Sequence, residues 1–226
     1  MGVEAAAADR AAVEAAVAGS PAPADRRELL VLLAATAAVL VWSGIGPHDR
    51  LTWWLEVAPV LVAVPLLVAT HRRFPLTPLL YRLIFLHAVL LMVGGHYTYA
   101  RVPLGEWARE AMDLARNHYD RLGHFAQGFV PAVAARELLL RTSTLGRGRW
   151  LTFVVASIAL AISAFYELIE WWAAWIGNAA ADDFLGTQGD IWDTQWDMFL
   201  ALLGALTALL LLARRHDVEL GLARAR

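Results

Sequence analysis

The chain has 226 residues, of which 59% are hydrophobic and 18% charged, with a net charge of −2, no cysteine and 10 tryptophans. Soluble domains run at roughly 45–50% apolar and about 25% charged, so this composition excludes an ordinary water-soluble fold and points to a membrane. The lack of cysteine removes disulfides, thiolate nucleophiles and thiolate metal sites, and the net negative charge argues against a nucleic-acid partner, which needs a dense positive face.

Residues 1–28 are Ala-rich with scattered charges and two prolines, Pro21 and Pro23. They lack the basic start and unbroken apolar run of a signal peptide, and read as a disordered or weakly helical cytoplasmic tail. From Leu29 the chain breaks into apolar segments at about 29–45, 51–70, 79–96, 120–140, 150–175 and 194–213. Each approaches the roughly 20 helical residues that a hydrocarbon core of about 30 Å requires. Lipid leaves no partner for unpaired backbone groups, and no segment alternates as a barrel strand would, so helices are the spanning form. The expectation is an all-α polytopic membrane bundle of about six transmembrane helices over 29–213, with a cytoplasmic tail over 214–226. Pro59 and Pro65 in the second span and Pro131 in the fourth are expected to kink them.

Orientation is carried by arginine, because the chain has no lysine. Fourteen of the 19 basic residues lie on the side of the termini, which the positive-inside rule places in the cytoplasm of a bacterial inner membrane. The loops at 46–50, 97–119 and 176–193 then lie outside. The last of these has no basic residue and holds Asp182, Asp183, Asp190 and Asp193. Trp53, Trp54, Trp171, Trp172, Trp175, Trp192 and Trp196 fall near the outer boundary, as an interfacial belt would.

Ionisable groups within spans cost about 2.5–3.5 kcal/mol each near a helix centre and are normally paired, hydrated or functional. Here residues three and four apart gather them into stripes: Asp120, His124 and Gln127 on the fourth span, Ser163, Glu167 and Glu170 on the fifth, Asp193 and Asp197 on the sixth. At 1.5 Å per residue, these groups and His96 at the end of the third span share one depth near the outer face. Two arrangements could hold them. A divalent cation could take nitrogen from His96 or His124 and oxygen from Asp120, Asp193 or Asp197, with Glu167 or Glu170 as the base for a metal-bound water. Alternatively, Arg121 and Arg101 could neutralise the acids in ion pairs that tie the helices together. Asp120 also suits a helix N-cap. His87 reads as a hydrogen-bonded packing residue, and Arg136 and Glu137 as side chains that snorkel at the cytoplasmic boundary. The stretch from Gly186 to Asp190 reads as a tight turn.

The runs His96-Tyr97-Thr98-Tyr99 and Tyr119-Asp120-Arg121-Leu122-Gly123-His124, the pair Arg136-Glu137, the step Glu167-Leu168-Ile169-Glu170 and the stretch from Leu185 to Met198 together resemble the YjdF-type bacterial inner-membrane proteins, over about residues 30–213. The layout of Asp-Arg-x-x-His, Glu-x-x-Glu and Asp-x-x-x-Asp on successive spans is also similar to that of VanZ-like membrane proteins, which have Gln where Glu170 stands. The resemblance implies an inner-membrane helix bundle and supplies no activity. The residues themselves leave three functions open: a hydrolase or transferase on a lipid-linked or envelope substrate, a cation or proton pathway, or a non-catalytic assembly protein locked by ion pairs.

Overall fold

The computed structural model describes residues 24–177 and 187–222. Residues 1–23 of the expected tail, Asp182, Asp183 and Gly186 of the acidic loop, and residues 223–226 at the C-terminus lie outside the described residues. Among the described residues every regular element is helical: α1 (Arg26–Gly44), α2 (Arg50–Thr70), α3 (Pro78–Tyr97), a 3-10 turn (Tyr99–Arg101), α4 (Pro103–Ala111), α5 (Tyr119–Thr142), α6 (Arg149–Gly177) and α7 (Asp193–Glu219). Starts are set by local chemistry. Asp25 accepts from Arg27 N–H, Asp49 from Thr52 N–H, and Thr77, followed by Pro78, from Leu80 N–H. The Asp49 carboxyl, which lies outside the spans, is held below its ordinary range by that bond from Thr52. The helical assignment runs through Pro59, Pro65 and Pro131 without a break.

Five helices, α1, α2, α3, α6 and α7, are long and apolar enough to cross a bilayer. The expected fourth span differs. Helix α5 has 24 residues, enough to cross, but it carries too many polar side chains to be placed by hydropathy. It is instead the inner helix of the bundle. Half of its residues are buried, against 11% to 33% of the apolar windows in the other five, and its exposed positions, Leu122, Leu138 and Thr142, lie near its ends. The protein is therefore a membrane helix bundle in which one polar helix is shielded from lipid by its neighbours.

Helix α5 packs against α3, α6 and α7, while α1 and α2 pack on α3. The closest approach is between α5 and α7 and depends on two glycines. A Cβ on Gly128 would stand 1.7 Å from the Ala201 carbonyl oxygen, and one on Gly204 would stand 2.1 Å from that of Phe125. Such small-residue seams let membrane helices meet backbone to backbone.

The ends of the helices alternate. At one end Arg82 pairs with Glu28, Leu79 N–H donates to Glu219 at 2.7 Å, and Arg141 donates to the Pro75 carbonyl at 2.7 Å. At the other, His96 meets the Ser43 carbonyl at 3.0 Å, and Asn117 N–H donates to Gln188 at 3.0 Å. The first is called the inner end and the second the outer, following the orientation expected from the arginines. Between them lies an apolar layer that includes Val133, Val155, Ala159, Ala205 and Ala208.

Trp54, Trp171, Trp172, Trp175, Trp192 and Trp196 are exposed, as a belt requires. Trp53 is not part of it: the ring is buried and its Nε1–H donates to Ser43 Oγ at 3.1 Å, tying α2 to α1.

Candidate functional site

Near the outer end, α5, α6 and α7 direct their polar stripes at one point, and His124 stands at it. Its Nε2 lies 3.5 Å from Asp120 Oδ1 and 3.9 Å from Asp197 Oδ2. Its Nδ1 lies 3.1 Å from Gln127 Oε1 and 3.7 Å from Glu167 Oε1. One donor atom from each of Asp120, His124 and Asp197 falls within 4.8 Å of the others, and the same holds for His124, Glu167 and Glu170. All five side chains are at least nine-tenths buried.

Several of these acids have an oxygen without a hydrogen bond. Asp120 Oδ2, Glu167 Oε1 and Asp197 Oδ1 are buried without a hydrogen bond, as is Ser163 Oγ on the same stripe of α6. Buried acceptors are nearly always satisfied, so a group of them around one imidazole is unusual. Asp120 is not an N-cap. The capping position is His118, and Asp120 sits in the first turn of α5 with its side chain turned inward.

The arginines occupy the lip of the site. Arg121 pairs with Asp190 at 2.7 Å and lies over the Trp196 ring. Arg116, a residue sequence reasoning passed over, pairs with Asp193 and approaches Asp190 at 3.6 Å and Asp120 at 3.7 Å. Arg101 is exposed in the 3-10 turn. His118, just before α5, is pushed below its ordinary value by burial and then by Arg121 and Arg116 beside it, so it adds no positive charge at neutral pH. Asp193 therefore belongs to an outer ring with Arg116, Arg121 and Asp190, while Asp120, Asp197, Glu167 and Glu170 surround His124 beneath it.

His96 shares the depth of this group but not its side of the bundle. Its Nδ1 meets the Ser43 carbonyl of α1, and its ring packs at 4.5 Å on Trp42 and 4.6 Å on Tyr97. His87 joins neither metal-sized group, and its Nε2 has no hydrogen-bond partner. The turn is as expected over its described part: Asp190 N–H donates to Thr187 O at 2.9 Å, with Gln188 and Gly189 at positive φ. Gln188 then clamps Asn117 through both its amide groups, which sets the acidic loop against the head of α5.

Glu56 was not anticipated. It is 3% exposed in the middle of α2 and accepts from the Tyr166 hydroxyl at 3.1 Å. Tyr166 in turn sets its ring edge-on to His124, 6.5 Å between centroids, so Glu56 borders the site from a fourth helix. A lone carboxyl in a 21-residue apolar span was the available signal. It escaped because it has no polar neighbour three or four residues away on a shared stripe except Thr52.

Arg136 and Glu137 do not snorkel; both are buried at the inner end. Glu137 accepts from Thr77 N–H and Oγ1–H, from Arg141 at 2.7 Å and from His216 Nε2 at 3.0 Å. Arg136 donates to His216 Nδ1 at 3.0 Å and pairs with Asp217 at 2.5 Å.

With the geometry in view, comparison with known proteins is informative. Residues 28–218 match the model of a family described as "Predicted membrane protein (DUF2238)". The chain is 60% identical over 182 residues to the Inner membrane protein YjdF of Escherichia coli (strain K12), an alignment that covers 80% of this chain and 87% of that protein. No solved structure matches it.

Proposed function

The chain belongs to the DUF2238 family of membrane proteins, and within that family we propose that its outer cluster is a divalent-metal centre of a multi-pass bacterial inner-membrane protein. Asp120, His124 Nε2 and Asp197 hold the ion, and Glu167 and Glu170 stand on the opposite edge of the imidazole as acid and base. One observation carries the reading: carboxylate oxygens of Asp120, Glu167 and Asp197 stand 3.5, 3.7 and 3.9 Å from the ring nitrogens of a single histidine, and each of the three carboxyls has a buried oxygen without a hydrogen bond. Ligand atoms on a tetrahedral ion at about 2.0–2.2 Å stand about 3.3–3.6 Å apart. The His124 to Asp120 and Asp197 separations of 3.5 and 3.9 Å close to that with small side-chain adjustments.

The chemistry follows from the donors. A divalent ion held by Asp120, His124 and Asp197 would supply Lewis acidity toward a water and toward a phosphoryl or acyl centre of a lipid-linked or envelope substrate at the outer face, with Glu167 and Glu170, across the imidazole, as the carboxyls available to take up and return a proton. The apolar layer between the two ends favours this reading over a cation or proton pathway, which needs polar groups across the whole bilayer. The unpartnered oxygens weigh against a purely structural lock.

Metal analysis of the purified protein tests the proposal, with His124→Ala and Asp197→Asn alongside. Near-stoichiometric divalent metal in the unmodified chain, reduced at least tenfold in both variants, is expected. Equal metal content in all three, or none in any after loading with zinc, overturns it.

A further inference from the structure

A second site lies at the inner end, on the far side of α3 from the metal cluster. Helices α1, α2 and α3 enclose a cavity of about 550 Å³, within the roughly 300–1,000 Å³ range of small-ligand sites. Its walls are apolar, including Leu29, Leu33, Val64, Leu67, Ile84 and Phe85, whereas its mouth carries Arg26, Arg72 and His71. From Arg26 to Thr36, both of which line it, α1 rises about 15 Å. That is half of a hydrocarbon core of about 30 Å. The cavity therefore begins at the basic boundary and ends near mid-bilayer, the span of one leaflet.

The polar groups at the mouth suit an anion. Arg26 and Arg72 are exposed cations at the ends of two different helices. Tyr81 accepts from Leu76 N–H at 3.2 Å, and its hydroxyl is hydrogen-bonded to His71 Nδ1 at 2.8 Å. That bond fixes the imidazole of His71, which lines the cavity, at the mouth. Among the described residues no carboxylate lines the cavity. An apolar slot one leaflet deep with two guanidinium groups and an imidazole at its polar rim matches an amphiphile with an anionic head.

We infer that this cavity binds an anionic phospholipid, its phosphate against Arg26, Arg72 and His71 and an acyl chain between α1, α2 and α3. Basic pockets between transmembrane helices recognise acidic headgroups in this way. The inference is independent of the metal centre.

Native mass spectrometry of the delipidated full chain, titrated in mixed micelles with phosphatidylglycerol or phosphatidylethanolamine, tests it. Phosphatidylglycerol is expected to be retained about twenty-five-fold better. The Arg26→Gln/Arg72→Gln double variant should bring the two lipids to near parity, since each charge is worth roughly fivefold. Leu33→Trp, which fills the apolar wall, should remove retention of both while leaving metal content unchanged. Equal retention of the two lipids by the unmodified chain, or no response to the arginine substitutions, overturns the inference. It is also overturned if lipid is retained only after deletion of residues 1–23, because that segment would then be the occupant.

Discussion

Helix α5 carries a carboxylate–histidine–arginine cluster at each end, and α7 contributes to both. At the inner end, Glu137 accepts from Thr77, Arg141 and His216, while Arg136 bridges His216 to Asp217. His216 uses both ring nitrogens, and no side-chain atom of this network is buried without a partner. At the outer end, four carboxylates surround one imidazole and three of their oxygens have no hydrogen bond. The residue types are alike and the burial is alike. What differs is the supply of donors: two arginines and a threonine hydrogen-bond within the inner cluster itself, whereas at the outer end Arg121 pairs with Asp190 and Arg116 pairs with Asp193 and reaches Asp120 at 3.7 Å. A buried network rigidifies a bundle only when every member is satisfied. By that criterion the inner cluster holds the helices together, and the outer one suits the ion proposed for it.

Substitutions can break this contrast. The largest effect is expected from Glu137→Ala, which strands His216, Arg136 and Arg141 around an empty acceptor. Breaking a buried ion network in this way costs about 3–5 kcal/mol, read as a steep fall in the thermal transition of the detergent-solubilised protein. A transition unchanged from the parent would remove the structural role given to the inner end. Next comes Gly128→Val, which forces α5 away from the Ala201 carbonyl at about 1–3 kcal/mol. Because the same pair of helices supports both clusters, stability and metal content should fall together; loss of only one would show that the two ends are assembled separately. The smallest effect on folding belongs to Glu167→Gln. Removing a charge from an acid-rich site should leave the transition unchanged or slightly raised, while divalent-metal affinity or turnover falls about tenfold. A marked destabilisation instead would place Glu167 with the structural residues.

Much of this was readable from the chain, and the parts that were not share a cause. Apolar segment length gave the helices, and residue spacing put Asp120, His124, Glu167, Glu170 and Asp197 on inward stripes, because depth and stripe are properties of a single helix. The direction in which a helix end faces is not. His96 has the depth of the cluster and faces α1, and Trp53 sits at the belt and points inward. Choice of partner is also a property of the assembled bundle. Arg116 rather than Arg101 reaches Asp193, although both lie in the same connecting segment. Arg136 and Glu137 sit where long side chains usually reach water, and only the convergence of Thr77, Arg141 and His216 makes their burial affordable.

The polarity of α5 bears on how the bundle is made. Its Asp120, His124, Arg136 and Glu137 leave it no purely oily face with which to exit the translocon alone. The ribosome delivers it before α6 and α7, whose side chains later cover it. Its transfer into the bilayer must therefore wait for the C-terminal hairpin, so a chain stopped after Thr142 would leave α5 stalled in the insertion channel or exposed to quality-control proteases.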